Sequence, residues 1–210
     1  MDGVTYAPLT AEQFTPRSLD GFIRRQHVTR CWRRVDGALV LCPAEYIDDW
    51  TLEERHQFAL EILTTLRDGG AAFGAFSGGS VVGFAAVAGQ RLGSRKQYAD
   101  LSLFYVSEPF RGRGIGKKLF RISCGTARGM GAERLYISAH SAQEVIAAYR
   151  ALGCVEAEEP DPHHAAAEPC DVQMERLLDE LYHGSATADV HDALFLPDME
   201  KAETQAPAGA

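Results

Sequence analysis

The stretch Leu101-Ser102-Leu103-Phe104-Tyr105-Val106-Ser107-Glu108-Pro109-Phe110-Arg111-Gly112-Arg113-Gly114-Ile115-Gly116-Lys117-Lys118-Leu119 decides how this chain folds. An apolar, aromatic-rich run of strand length, Ala99 to Val106, leads into a loop with three alternate glycines. Ile115, Leu119 and Ile122 then share one face, predicting a helix from Gly114 to about Arg128, closed by Gly129 and Gly131. A strand-to-helix junction of this kind presents backbone N–H groups that no earlier turn can satisfy, and glycine lets a ligand approach them closely. The expected ligand is a phosphate or pyrophosphate; a tight turn with no ligand is the alternative.

Two phosphate-binding patterns can be set aside. A Walker A loop needs G-x-x-x-x-G-K-[ST], but position 111 is Arg and Lys117 is followed by Lys118. A dinucleotide fingerprint needs G-x-G-x-x-G, whereas here the third glycine comes one residue early, and Glu133 precedes the next strand rather than ending it. Charge supports an anion site. From Arg111 to Arg121 there are five basic residues and no acidic one. Cations at a helix N-terminus oppose its dipole, so they serve something other than helix stability.

Outward from this segment, Tyr6 to Leu9 reads as a short strand, and Thr10-Ala11-Glu12-Gln13 has capping-box form before Pro16. Cys31 to Cys42 reads as a hairpin around Asp36-Gly37, with Cys31 opposite Cys42. Thr51-Leu52-Glu53-Glu54 caps a helix carrying Phe58, Ile62 and Leu66 and stopped at Asp68-Gly69-Gly70. Strands at Ala71–Phe76 and Ser80–Val87 flank Ser77-Gly78-Gly79. Leu135–Ala139 is a strand, Ser141–Leu152 a helix ended by Gly153, and Cys154–Ala157 and Asp171–Leu177 are further strands. His163-His164 reads as a loop in an acidic, Pro-flanked stretch, and no metal site is expected.

The pattern [Arg/Gln]-x-x-Gly-x-[Gly/Ala], present as Arg111-Gly112-Arg113-Gly114-Ile115-Gly116, resembles the acetyl-CoA signature of the GNAT superfamily of N-acetyltransferases. Ser141-Ala-Gln-Glu-Val145-Ile-Ala-Ala-Tyr149-Arg-Ala-Leu152-Gly153-Cys154 is similar to the family helix that ends in Tyr-x-x-x-Gly-Phe, with Cys154 where Phe is usual and Ala142 where many members carry Asn. Glu168-Pro169-Cys170-Asp171-Val172 also looks like a run found in one branch of the family. The resemblance covers roughly Ala71 to Leu177. It implies an α/β (α+β) fold with a mixed, mostly antiparallel central sheet of about six to seven strands flanked by helices. It also implies acetyl-CoA as co-substrate. Arg111, Gly112, Arg113, Gly114, Ile115, Gly116 and Lys117 would cradle its pyrophosphate, and Phe104, Tyr105 and Val106 its pantetheine arm.

The implied activity is transfer of an acetyl group to a primary amine of a small molecule or peptide by direct attack. Tyr149 would donate a proton or hydrogen bond to the leaving thiolate, and the Val106 N–H would face the thioester oxygen. An alkylammonium with a pKa of about 10 must lose a proton first, which requires a base. Asp100 is the first candidate, either as base or as a structural acceptor, and Glu108 in the following loop is the second. A non-catalytic acyl-CoA-binding sensor is the rival reading, and a longer acyl chain a variant of the first. Phe14 to Arg25 and the hairpin Trp32 to Leu41 are expected to line the acceptor side.

The whole chain has 210 residues and a formal charge of −8, which argues against nucleic acid or an anionic membrane as partner. That charge is unevenly placed. Residues 1–155 carry 19 Lys and Arg against 15 Asp and Glu, while residues 156–210 carry 2 against 14. A mildly basic body thus joins an acidic end. One domain over 1–182 is expected, with a substrate-side part at 1–70 and a core at 71–177, followed by an acidic, Ala- and Pro-rich mobile tail at 183–210. No run approaches membrane-spanning length, and the opening residues lack a signal-peptide pattern, so the cytoplasm is the expected compartment. The five cysteines form no CxxC pair and are expected as free thiols, and a homodimer stays open.

Overall fold

The computed structural model describes residues 3–178, so the tail expected at 183–210 lies outside the described residues. Two sheets carry the fold. The first runs β1 (Thr5–Pro8), β4 (Ala71–Ser77), β5 (Ser80–Val87) and β8 (Leu103–Val106), all antiparallel. The second runs β10 (Val155–Glu156), β11 (Val172–Leu177), β9 (Arg134–Ala139), β7 (Tyr98–Asp100) and β6 (Arg91–Leu92), with β7 parallel to β9. A separate two-stranded ribbon, β2 (Gln26–Val35) and β3 (Ala38–Asp48), places Cys31 opposite Cys42, both free thiols.

The run read as one strand, Ala99–Val106, is divided. Its first part pairs with β9 and its second with β5, and Leu101 N–H to Tyr136 O at 2.9 Å is the bond at the division. No pairing joins β8 to β9 among the described strands, so the two sheets splay apart beyond Leu101.

Helices cover both faces. α1 (Leu52–Arg67) starts from a reciprocal cap in which the Thr51 hydroxyl accepts the Glu54 N–H and the Glu54 carboxylate accepts the Thr51 N–H. Its Ala59 and Ile62 pack with Leu19, Phe22, Phe84 and Leu103. α2 (Ile115–Gly129) buries Ile115, Leu119, Phe120, Cys124 and Ala127 against Val82, Ala85, Leu135 and Ile137 on the opposite face. Each fully buried Leu or Phe here contributes about 1.5–3 kcal/mol. α3 (Gln143–Ala151) adds Ile146 and Tyr149 to this second core.

His163-His164, expected in a loop, lies in a short helix, α4 (Pro162–Ala167). Asp161 caps it, accepting the His163 and His164 N–H groups, and Pro162 sits at its first turn where no amide hydrogen is needed. The expected helix after Thr10 is a turn followed by a single 3-10 turn, Pro16–Leu19. No helix among the described residues is long and apolar enough to cross a membrane.

Candidate active site

The splay beyond Leu101 opens a cleft of about 940 Å³, walled by β8 on one side and by Ser138, His140 and α4 on the other. Strand alternation fixes what β8 offers it. Ser107 N–H bonds to Val82 O on the β5 side at 2.9 Å, so the N–H groups of Val106 and Phe104 point to the other edge, into the cleft. The Phe104 and Val106 side chains lie beside Gly116, where an added Cβ would stand 3.5 and 3.6 Å from them. Tyr105 differs from its neighbours. Its backbone pairs with Phe84, and its ring packs on the opposite face against Trp50, Phe58 and Phe84.

At the head of α2 the first ladder bond runs from Lys118 N–H to Gly114 O at 3.1 Å, leaving the N–H groups of Ile115, Gly116 and Lys117 outside it. Gly112 and Gly114 have φ of +73° and +81°, a region that L side chains rarely adopt. A Cβ on either would meet nothing within 4 Å, so their open sides face space that a ligand can enter. Arg113 and Lys117 are exposed beside them. This donor set of free amides and cations fits the pyrophosphate of acetyl-CoA.

Arg111 has a different task. Its guanidinium donates to the carbonyls of Val106 (3.0 Å), Arg25 (2.8 Å) and Arg24 (2.7 Å), fastening the start of the glycine loop to the segment before β2. The Ser107 hydroxyl accepts the Ile23 N–H at 3.0 Å and reinforces the same join. Ile115 turns its side chain into the core, so its N–H is what it can offer a ligand.

Tyr149 is buried against Phe104 and Phe120, yet it lines the cleft, and its hydroxyl has no hydrogen-bond partner among the described residues. Burial drives its pKa far above the ordinary tyrosine value, so it stays protonated and can donate. Asp100 lies behind the cleft wall, its carboxylate 3.3 Å from Nε2 of His164. Glu108 is in an exposed 3-10 turn, its N–H donating to Ile23 O, and it does not line the cleft.

Of the segments expected on the acceptor side, Phe14 to Arg25 contributes Arg24 to the cleft lining and Trp32 to Leu41 contributes nothing; the other residues of this half are ones the sequence did not single out for it. Arg24 is buried, paired with Asp48 at 2.6 Å and set over the Trp50 and Tyr105 rings. Trp50 stacks on Phe58 with centroids 3.9 Å apart, and Glu61 of α1 stands nearby. Across the cleft are His140, His164, Glu168 and Asp171. The Pro-flanked acidic stretch and Asp171 in its strand-leading run were the available signals. Only the splay of the sheets brings them opposite Tyr105. Among the described residues, no group of three or more His, Cys, Asp or Glu is placed to hold a metal ion.

Residues 32–154 match the model of the acetyltransferase (GNAT) family, and the chain belongs to that family of acyltransferases. No curated protein matches by sequence. Among solved structures it is similar to nourseothricin acetyltransferase, with a TM-score of 0.63 and 16% identity over 84% of this chain and 99% of that one. A Bacillus anthracis Ames protein, assigned as a streptothricin acetyltransferase and solved with acetyl coenzyme A, is similar at a TM-score of 0.58 and 14% identity, covering 82% and 96%. Ard1 from Thermoplasma volcanium follows at 0.53 and 17%, covering 84% and 99%. At such identities the likeness is one of fold.

Proposed function

We propose that the protein transfers an acetyl group from acetyl-CoA to a primary amine of a small molecule or peptide. The observation that carries this reading is the cleft itself. It holds strand N–H groups directed inward and a buried, protonated tyrosine in one space, and two residues of its lining, Phe104 and Val106, lie beside Gly116 at the unsatisfied N-terminus of α2. Ile115, Gly116 and Lys117 N–H groups, with the Arg113 and Lys117 side chains, would hold the pyrophosphate, and β8 would align the pantetheine arm. The co-substrate supplies an activated thioester carbonyl.

The chain's own residues then divide the work. The Val106 N–H donates a hydrogen bond to the carbonyl oxygen as negative charge builds there, which costs no reorganisation because β8 already points it inward. The Tyr149 hydroxyl donates a proton to sulfur as the thiolate leaves. Arg111 holds β8, the glycine loop and the Arg24–Arg25 backbone in one geometry. Free thiol release from acetyl-CoA, measured across polyamines, amino acids, aminoglycosides and peptide N-termini, tests the reading. Release that depends on one class of amine supports it; binding of CoA with no release for any amine supports a sensor instead.

A further inference from the structure

The acceptor half of the cleft holds several titratable groups that differ in bonding and burial. Asp48 is ion-paired with Arg24. His164 faces Asp100 with Nε2 at 3.3 Å and Asp161 with Nδ1 at 2.8 Å; hydrogen bonding to Asp100, helped by Asp161, raises its pKa to about 9, so it is an imidazolium without a lone pair to offer. His140 accepts the Ala142 N–H on Nδ1 at 3.3 Å, which puts its proton on Nε2, and Nε2 faces the Tyr46 hydroxyl at 3.1 Å. Both of its nitrogens are engaged. Glu61, Glu144 and Glu168 are exposed.

Asp171 is half-buried, lines the cleft and forms no ion pair with a cation among the described residues. Its Oδ2 lies 3.4 Å from the Ser138 hydroxyl, at the end of a chain whose direction is set by its members. The Asp161 N–H donates to the Tyr136 hydroxyl oxygen at 2.7 Å. Tyr136 donates to Gln173 Oε1 at 2.7 Å, and Gln173 Nε2 donates to Ser138 Oγ at 3.0 Å. Each acceptor is filled from behind, so the Ser138 hydrogen is turned toward Asp171. Tyr105 and Tyr149 line the same cleft as Asp171.

Resting on the acetyl-transfer reading above, we propose that Asp171 takes the proton the substrate ammonium must lose before attack, and that Ser138, Gln173 and Tyr136 position it. The ammonium gives one proton to the Asp171 carboxylate, and the nitrogen lone pair forms a C–N bond at the thioester carbonyl. The C–S bond breaks with its electron pair on sulfur, which takes the Tyr149 proton. The second proton lost by nitrogen restores Tyr149 through solvent, and Asp171 releases its own proton to solvent. Amide, thiol and one proton are the products. Asp100, which the sequence favours for this task, is the counter-ion of His164.

Glu168 on its own loop and Ser138 on β9 act on Asp171 directly, and the other titratable groups that share its cleft include His140 just after β9, His164 on α4, Tyr149 on α3 and Tyr105 on β8. Burial, with the Glu168 charge, raises its pKa to about 6 against the opposing Ser138 hydrogen bond. It is therefore ionised at neutral pH and more basic than an exposed aspartate.

The test is the pH profile of kcat/KM with the best amine from the panel. Wild type should lose activity as pH falls through about 6. Asp171→Asn should remove that limb and lower kcat at neutral pH by about 10²–10⁴-fold, with CoA affinity by calorimetry unchanged. Ser138→Ala removes the bond favouring the carboxylate and should move the limb upward, while Glu53→Gln, at an exposed carboxylate of α1 outside the cleft, should keep it in place. NMR of the free protein should show one side-chain carboxyl titrating near pH 6 that vanishes in Asp171→Asn. An Asp171→Asn enzyme that retains the limb and close to wild-type rate overturns this assignment alone, as does loss of the limb in Asp100→Asn instead. A wild-type protein that binds CoA but acetylates no amine overturns the transfer reading and this assignment with it.

Discussion

The Asp100 carboxylate lies 3.3 Å from Nε2 of His164, whose Nδ1 lies 2.8 Å from Asp161, so one imidazole ties β7 to the N-cap of α4. Its ordinary pKa of 6.5 rises to about 9 in the fold, chiefly through the Asp100 hydrogen bond. A raised pKa stabilises the fold fully below the unfolded value and loses that contribution as pH rises through the folded one. Urea unfolding should therefore show stability falling between pH 6.5 and 9. Asp100→Asn should flatten that slope and cost about 1.5–3 kcal/mol below it.

Gly114 sits at φ +81° with open space where a Cβ would be. Gly114→Ala should cost about 1–2 kcal/mol of stability through the left-handed backbone alone. It should weaken CoA binding as well, because the new methyl group lies on the side from which a ligand approaches. Calorimetric titration of CoA alongside thermal melts separates the two effects.

Arg111 joins three carbonyls through one planar fork, and lysine has no such fork. Arg111→Lys should lower stability by about 1–3 kcal/mol and raise KM for acetyl-CoA, since β8 and the glycine loop lose their common anchor. Hydrogen exchange should increase first in residues 22–25 and 106–112. Unchanged exchange there would contradict the anchoring role.

Tyr149→Phe keeps the ring packed on Phe104 and Phe120 and removes only the hydroxyl. Turnover should fall by about 10²-fold or more while CoA affinity holds. Equal turnover in the two proteins would assign Tyr149 to the core alone.

Much of this was legible in local sequence. The Asp36-Gly37 turn set Cys31 opposite Cys42, and the Thr51–Glu54 box opened α1 as spacing required. Residues 99–106 read as one strand because apolar alternation continues through Leu101. What divides it is a change of hydrogen-bonding partner from β9 to β5, which a single strand's side chains do not record. The same division explains the choice of carboxylate. Asp100 lies before the split and faces His164, whereas Asp171, distant in sequence, comes to the cleft through the pairing of β11 with β9. His163-His164 reads as loop because flanking prolines break a pattern, although Asp161-Pro162 is also a helix-start signal.

The most direct measurement of the central claim is titration of CoA into the full chain by calorimetry at two salt concentrations. One site per chain, weakened by added salt because the glycine-loop cations contact phosphates, is the predicted result. No heat of binding at any salt concentration, in a protein that melts cooperatively, would contradict the acyl-CoA reading of the cleft in both its catalytic and its sensor form.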